Sequence, residues 1–102
     1  MGFFRRLFGG GGRAGDRYVT YYVRPKRCSE VLAVRVDRYN DLSLNDDGKT
    51  YFARKVARGE RCPFPAELHI DFNANRVEVK VGVQDGELVD EAAYQAFLAQ
   101  RA

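Results

Sequence analysis

No run of apolar residues in this sequence approaches the ~20 that a membrane-spanning helix needs. The longest apolar stretch near the start is also too short for the core of a signal peptide. Histidine occurs once, cysteine twice and tryptophan not at all. A zinc ribbon, which needs four Cys or His ligands in paired knuckles, is out of reach. Two cysteines are also fewer than a small secreted domain normally carries, so the expected setting is reducing and cytoplasmic. Catalytic signatures are missing too. Gly10 and Gly15 have the spacing of a phosphate loop, but Asp16 stands where its lysine belongs. Ser43, Asn45, Asp47 and Gly48 follow the spacing of a calcium loop, but Arg54 stands where the closing carboxylate belongs. Neither Gly-x-Ser-x-Gly nor His-Glu-x-x-His occurs.

What is present fits one small domain. The chain has 102 residues, of which 45% are hydrophobic, enough for a single modest core. Its charge is unevenly spread. Residues 1–30 hold seven Lys/Arg against two Asp/Glu, whereas residues 63–102 hold three against seven. A basic front and an acidic rear suggest an anionic partner for the front, or simply an uneven solvated surface.

The first eight residues form an amphipathic unit if they are helical. At 100° per residue, Phe3, Phe4, Leu7 and Phe8 share one arc, with Arg5 and Arg6 on the other side. So short a segment holds no helix alone in water and needs a surface to fold against. That surface could be an anionic membrane, with Arg5, Arg6 and Arg13 meeting headgroups, or a protein groove. The myristoylation pattern is not met, because Arg6 stands where Ser or Thr is required. Four glycines at residues 9–12 then read as a linker. The division predicted is a flexible basic arm over residues 1–15 and a β-rich domain over residues 16–102.

Within that domain, strand formers dominate. Residues 17–24 carry Tyr18, Val19, Thr20, Tyr21, Tyr22 and Val23, with bulk on both faces and Pro25 ending the run or marking an edge. Leu32, Val34 and Val36 alternate with Arg35 and Asp37 in a second strand over residues 31–39. Residues 45–48 read as a turn and residues 50–57 as a third strand. The clearest pattern follows. Leu68, Ile70 and Phe72 alternate with polar residues, as do Val77, Val79, Val81 and Val83 after an Asn-Ala-Asn link. That predicts a hairpin with one buried face. Asp90 is a good N-cap for a helix over residues 91–100 that packs Phe97 and Leu98 on the sheet. The predicted fold is mainly β (α+β): an antiparallel sheet of about five strands with a C-terminal helix.

Three groups could carry chemistry. Tyr18, Tyr21, Tyr22, Arg24, Lys26 and Arg27 interleave rings with cations. Such a surface binds single-stranded nucleic acid by stacking and phosphate pairing, or serves as a protein-binding face. Cys28 and Cys62 are the second group. At an offset of 34 residues, Arg24, Arg27, Cys28 and Asp37 fall on Arg58, Arg61, Cys62 and Asp71. If that repeat is real, the two sulfurs could meet as a disulfide or a metal site. Two inert or half-buried thiols is the plainer expectation, with Cys28 and Cys62 as weak metal candidates. His69, between Glu67 and Asp71, is the third. No nucleophile is set beside it, and a solvated strand face accounts for it.

The sequence brings no acid, base and nucleophile together. The reading is a non-catalytic accessory or adaptor protein, with no cofactor, that binds a larger protein assembly. Phe3, Phe4, Arg5, Arg6, Leu7 and Phe8 would add a weak attachment, on the inner membrane face if the surface is lipid. The alternative is a small RNA or single-stranded DNA binding domain.

Overall fold

The structure is a computed structural model that describes residues 17–101. The arm expected over residues 1–15, with Phe3, Phe4, Arg5, Arg6, Leu7 and Phe8, lies outside the described residues. Seven strands and one helix follow in order: β1 (Tyr18–Pro25), β2 (Leu32–Asp37), β3 (Ser43–Leu44), β4 (Tyr51–Ala57), β5 (Ala66–Phe72), β6 (Glu78–Gln84), β7 (Gly86–Val89) and α1 (Glu91–Arg101). Two antiparallel sheets replace the single sheet of about five strands. One has the order β2-β1-β7 and the other β3-β4-β5-β6.

The sheets share one core, built from alternate residues. β1 gives Val19, Tyr21 and Val23, and β2 gives Val36. β4 gives Ala53 and Ala57, and β5 gives Ala66, Leu68, Ile70 and Phe72. Leu32 and Val34 pack against this cluster, as the alternation in β2 predicted. The bulk on both faces of β1 is also explained. Tyr21 faces the core with its hydroxyl donating to Glu78 at 2.9 Å. Tyr22 faces the other way and meets the ring of Tyr94 in α1 at 5.1 Å between centroids. Both faces of β1 are therefore covered, one by the other sheet and one in part by the helix.

Pro25 does not make β1 an edge. β1 lies between β2 and β7, and Pro25 is its last residue, paired in register with Gly86. At a strand's final position a missing donor interrupts no ladder. Gly86 is required there by close approach: a Cβ would stand 2.8 Å from the Arg24 carbonyl oxygen and 2.9 Å from Cβ of Ala66.

The predicted hairpin forms as β5 and β6, with one change. A register shift at Asp71 and Phe72 pairs Asp71 with Lys80 and Phe72 with Glu78. Val79 is the extra residue of this bulge and is 54% exposed. Val81 and Val83 stay on the core side. The unbroken Val-x-Val pattern of the sequence therefore conceals a switch of face. The helix begins as expected, with Ala93 N–H donating to the Asp90 carboxylate at 2.9 Å. Phe97 and Leu98 are half-buried and are not part of the central cluster, so α1 packs at the periphery.

Two carboxylates hold the turns. Asp47 accepts the backbone N–H groups of Lys49 and Thr50 at 2.8 and 2.9 Å. Both Asp37 carboxylate oxygens accept from Arg17 Nε–H at 3.1 Å, and Oδ1 also accepts the backbone N–H groups of Tyr39 and Asn40. The Arg17 guanidinium holds the Asp37 carboxyl down to about 2, against desolvation and with help from those two N–H groups. A folded-state pKa below the ordinary 3.8 gives stability that is complete above that value and lost as pH falls towards 2. Urea titrations of Asp37→Asn should therefore show a shallower fall in stability than the parent across this acid window. Parallel profiles for the two would contradict the assignment.

Candidate functional site: a cationic loop pair joined at Cys28 and Cys62

The connection from β1 to β2 and that from β4 to β5 meet at one end of the molecule. Cys28 in the first is disulfide-bonded to Cys62 in the second, with their Cα atoms 5.8 Å apart. The expectation of two thiols is corrected. Each cysteine lies in a loop that joins two antiparallel strands, and the offset of 34 residues marks these two loops. The similarity is partial, for Arg27 adopts a left-handed backbone (φ 61°) and Arg61 does not. That turn at Arg27 directs the chain from β1 towards Cys28. It is tied down by Lys26 N–H donating to the Asp85 carbonyl at 2.8 Å.

Glu30 organises the junction. Its carboxylate accepts the backbone N–H groups of Arg61 at 3.0 Å and Glu60 at 3.3 Å. The same carboxylate stands 2.9 Å from Cys62 Sγ and 3.8 Å from Cys28 Sγ. Glu30 N–H points to Cys28 Sγ at 3.3 Å. Gly59 makes room for this arrangement, since a Cβ there would come within 2.9 Å of Cys62 Sγ and would collide with Glu30. Cys62 is buried and Cys28 half-buried.

Around this junction the surface is basic and grooved. A cavity of about 460 Å³ is lined by Arg27, Ser29, Glu60, Arg61 and Phe97 together with Cys28 and Glu30. A second, of about 320 Å³, lies between Lys26, Arg27, Phe64, Pro65 and Asp85. Among the described residues, Lys26, Arg27, Arg58 and Arg61 make no ion pair. Phe64 is 50% exposed and lines the second cavity with Lys26 and Arg27. Free cations next to an exposed ring suit an anion that carries some apolar surface.

The six residues expected to form a face on β1 separate. Tyr21 is fully buried and leaves that face. Tyr22 is half-covered by Tyr94, and burial raises its hydroxyl pKa, with Glu91 and Tyr94 adding to the effect. Tyr18 is 42% exposed, with the Arg35 guanidinium 4.4 Å above its ring. Arg24 pairs with Glu87 at 2.7 Å. Only Lys26 and Arg27 reach the loop junction as unpaired cations. Sequence reading missed Glu30, Gly59, Arg61, Phe64 and Phe97 as parts of one site. The offset of 34 was the signal that touched one of them, Arg61, along with Cys62.

His69 is exposed on β5, with Nε2 3.0 Å from Glu67 Oε1. Glu67 also pairs with Arg54 at 3.0 Å, and its carboxyl pKa is lowered, first by the bond to His69 and further by Arg54. This is a surface network across β4 and β5, and His69 lies on an exposed strand face as the sequence suggested. Among the described residues, no helix is long and apolar enough to cross a membrane. Comparison with protein-family models, with curated proteins and with solved structures finds no match for this chain.

Proposed function

We propose that this chain is a non-catalytic adaptor that binds a larger protein assembly, with the two joined loops as its attachment face. The observation that carries this reading is the group of unpaired cations, Lys26, Arg27 and Arg61, beside exposed Phe64 at the disulfide junction. The partner chemistry this favours is an acidic protein segment bearing an apolar side chain. The disulfide and the Glu30 bonds fix the two loops relative to each other, which lowers the entropy lost on binding. Phe3, Phe4, Arg5, Arg6, Leu7 and Phe8 would supply a second weak contact, to the partner or to anionic lipid. Tethering two weak contacts raises effective concentration. A protein partner is preferred to single-stranded nucleic acid because, of the three β1 tyrosines expected to stack on bases, Tyr21 is buried and Tyr22 is half-covered.

Lys26→Glu with Arg61→Glu tests the face while sparing the left-handed turn at Arg27. In pull-downs from the protein's own cells, the parent should retain a nuclease-resistant protein partner. The double variant should lose it by roughly tenfold or more, and rising salt should mimic the loss. Retention by both forms, or capture that nuclease abolishes, would overturn the proposal. The arm has its own readout. Deleting residues 1–12 should weaken binding to vesicles of anionic phospholipid, since each basic residue near such a surface contributes about 1 kcal/mol. Equal vesicle binding with and without residues 1–12 would remove the lipid contact from the scheme.

A further inference from the structure

We propose that the Cys28–Cys62 pair, once reduced, joins the Glu30 carboxylate in a binding site for a thiophilic divalent cation of the zinc class. The three ligand atoms already converge: Cys28 Sγ, Cys62 Sγ and a Glu30 oxygen lie within 4.8 Å of one another. Around a tetrahedral zinc ion, with Zn–S about 2.3 Å and Zn–O about 2.1 Å, ligand atoms stand roughly 3.6–3.8 Å apart. Glu30 Oε1 is 3.8 Å from Cys28 Sγ and 2.9 Å from Cys62 Sγ, and with the Cα atoms 5.8 Å apart the two sulfurs, bonded in the oxidised chain, have to move apart to about 3.8 Å by side-chain rotation once reduced. Two sulfurs and one oxygen leave the fourth position for water, which reaches the site through the cavity lined by Cys28 and Glu30.

The surroundings supply a donor to one sulfur and hold the carboxylate in place. Glu30 N–H already points to Cys28 Sγ at 3.3 Å, a bond that strengthens when the sulfur becomes an anion. Arg27 and Arg61 line the same cavity, together with Glu60. With two thiolates and one carboxylate around a dication, the bound site has a net charge of minus one and lies beside Arg27, Arg61 and Glu60. The carboxylate is held in place by the N–H groups of Glu60 and Arg61, so it does not have to be ordered on binding. Gly59 leaves the space that the cluster occupies.

The chemistry balances in two steps. A cellular dithiol donates two electrons and two protons and becomes a disulfide itself, while the Cys28–Cys62 bond breaks to give two thiols. The cation then forms two metal–sulfur bonds and one metal–oxygen bond, and both thiol protons pass to solvent. Disulfide and bound metal are therefore alternative staples for the same two loops. An oxidising setting selects one and a reducing setting the other. This inference does not depend on the adaptor reading.

The test uses the full chain, reduced with a phosphine, desalted without air and titrated with Co²⁺ alone. One equivalent should bind and give sulfur-to-cobalt charge-transfer absorption that the oxidised chain does not give. Zn²⁺ should displace it. Glu30→Gln keeps an acceptor for one of the two N–H groups and removes the charge, and it should weaken Co²⁺ binding at least about tenfold. Far-UV circular dichroism follows the fold in parallel. If reduction unfolds the chain, adding Zn²⁺ should refold it. No charge-transfer band, equal cobalt binding by the oxidised chain, unchanged affinity in Glu30→Gln, or failure of Zn²⁺ to restore a lost fold would each overturn the site.

Discussion

Phe72→Ala is expected to destabilise the domain by about 3–5 kcal/mol, the cost of emptying a large, sealed core site. Phe72 is 2% exposed and shares the central cluster with residues from β1, β2, β4 and β5. Its removal therefore strips contacts from both sheets at once. A small domain holds only about 5–15 kcal/mol in total, so the variant should lose a large part of it. Val79→Ala is the matched control. It truncates a valine on the adjacent strand, but the bulge places that valine in solvent. The expected change is within about 0.5 kcal/mol. Urea unfolding of the two variants beside the parent measures both. Similar losses at the two positions would mean that the bulge is misplaced and that Val79 packs inward.

Breaking the covalent link between the loops should have the second large effect. Cys28 and Cys62 are 34 residues apart. Freeing that loop in the unfolded chain should lower stability by about 3–4 kcal/mol on the chain-entropy account. The comparison is between the oxidised parent and Cys28→Ser with Cys62→Ser, both with a chelator present, so that metal cannot substitute for the cross-link. Some of the junction survives in the variant, because Glu30 still accepts the N–H groups of Glu60 and Arg61. A loss below about 1 kcal/mol would mean that these two bonds, and not the sulfurs, hold the loops. The same variant should retain the acid-range behaviour set by Asp37, which is bonded to Arg17, Tyr39 and Asn40 and not to the junction.

Legibility in the sequence followed the strength of local pattern. Leu68, Ile70 and Phe72 alternate with charged residues, and all three are buried as that pattern requires. Asp90 caps the helix where a carboxylate before Glu91 predicted it. The division into two sheets was not legible, because strand pairing between β1 and β7 is a long-range choice with no local signature. β3 and β7 are two and four residues long, too short for alternation to register. Val79 was misassigned because a bulge adds a residue without altering the Val-x-Val rhythm. At the site, the offset of 34 pointed to the two cysteines. Nothing in the sequence marked Glu30, whose role comes from backbone donors some 30 positions away in the chain.

The placement of β1 between β2 and β7 has a consequence for biosynthesis. The smaller sheet needs residues 86–89 beside the strand that begins at Tyr18. A growing chain can close the β1–β2 hairpin early, but one flank of β1 keeps open hydrogen-bonding groups until residues 86–89 have left the ribosome. Prematurely terminated products lacking β7 would expose that flank with Tyr22 and Val23 on it, and so would be prone to pair with other extended segments and be cleared.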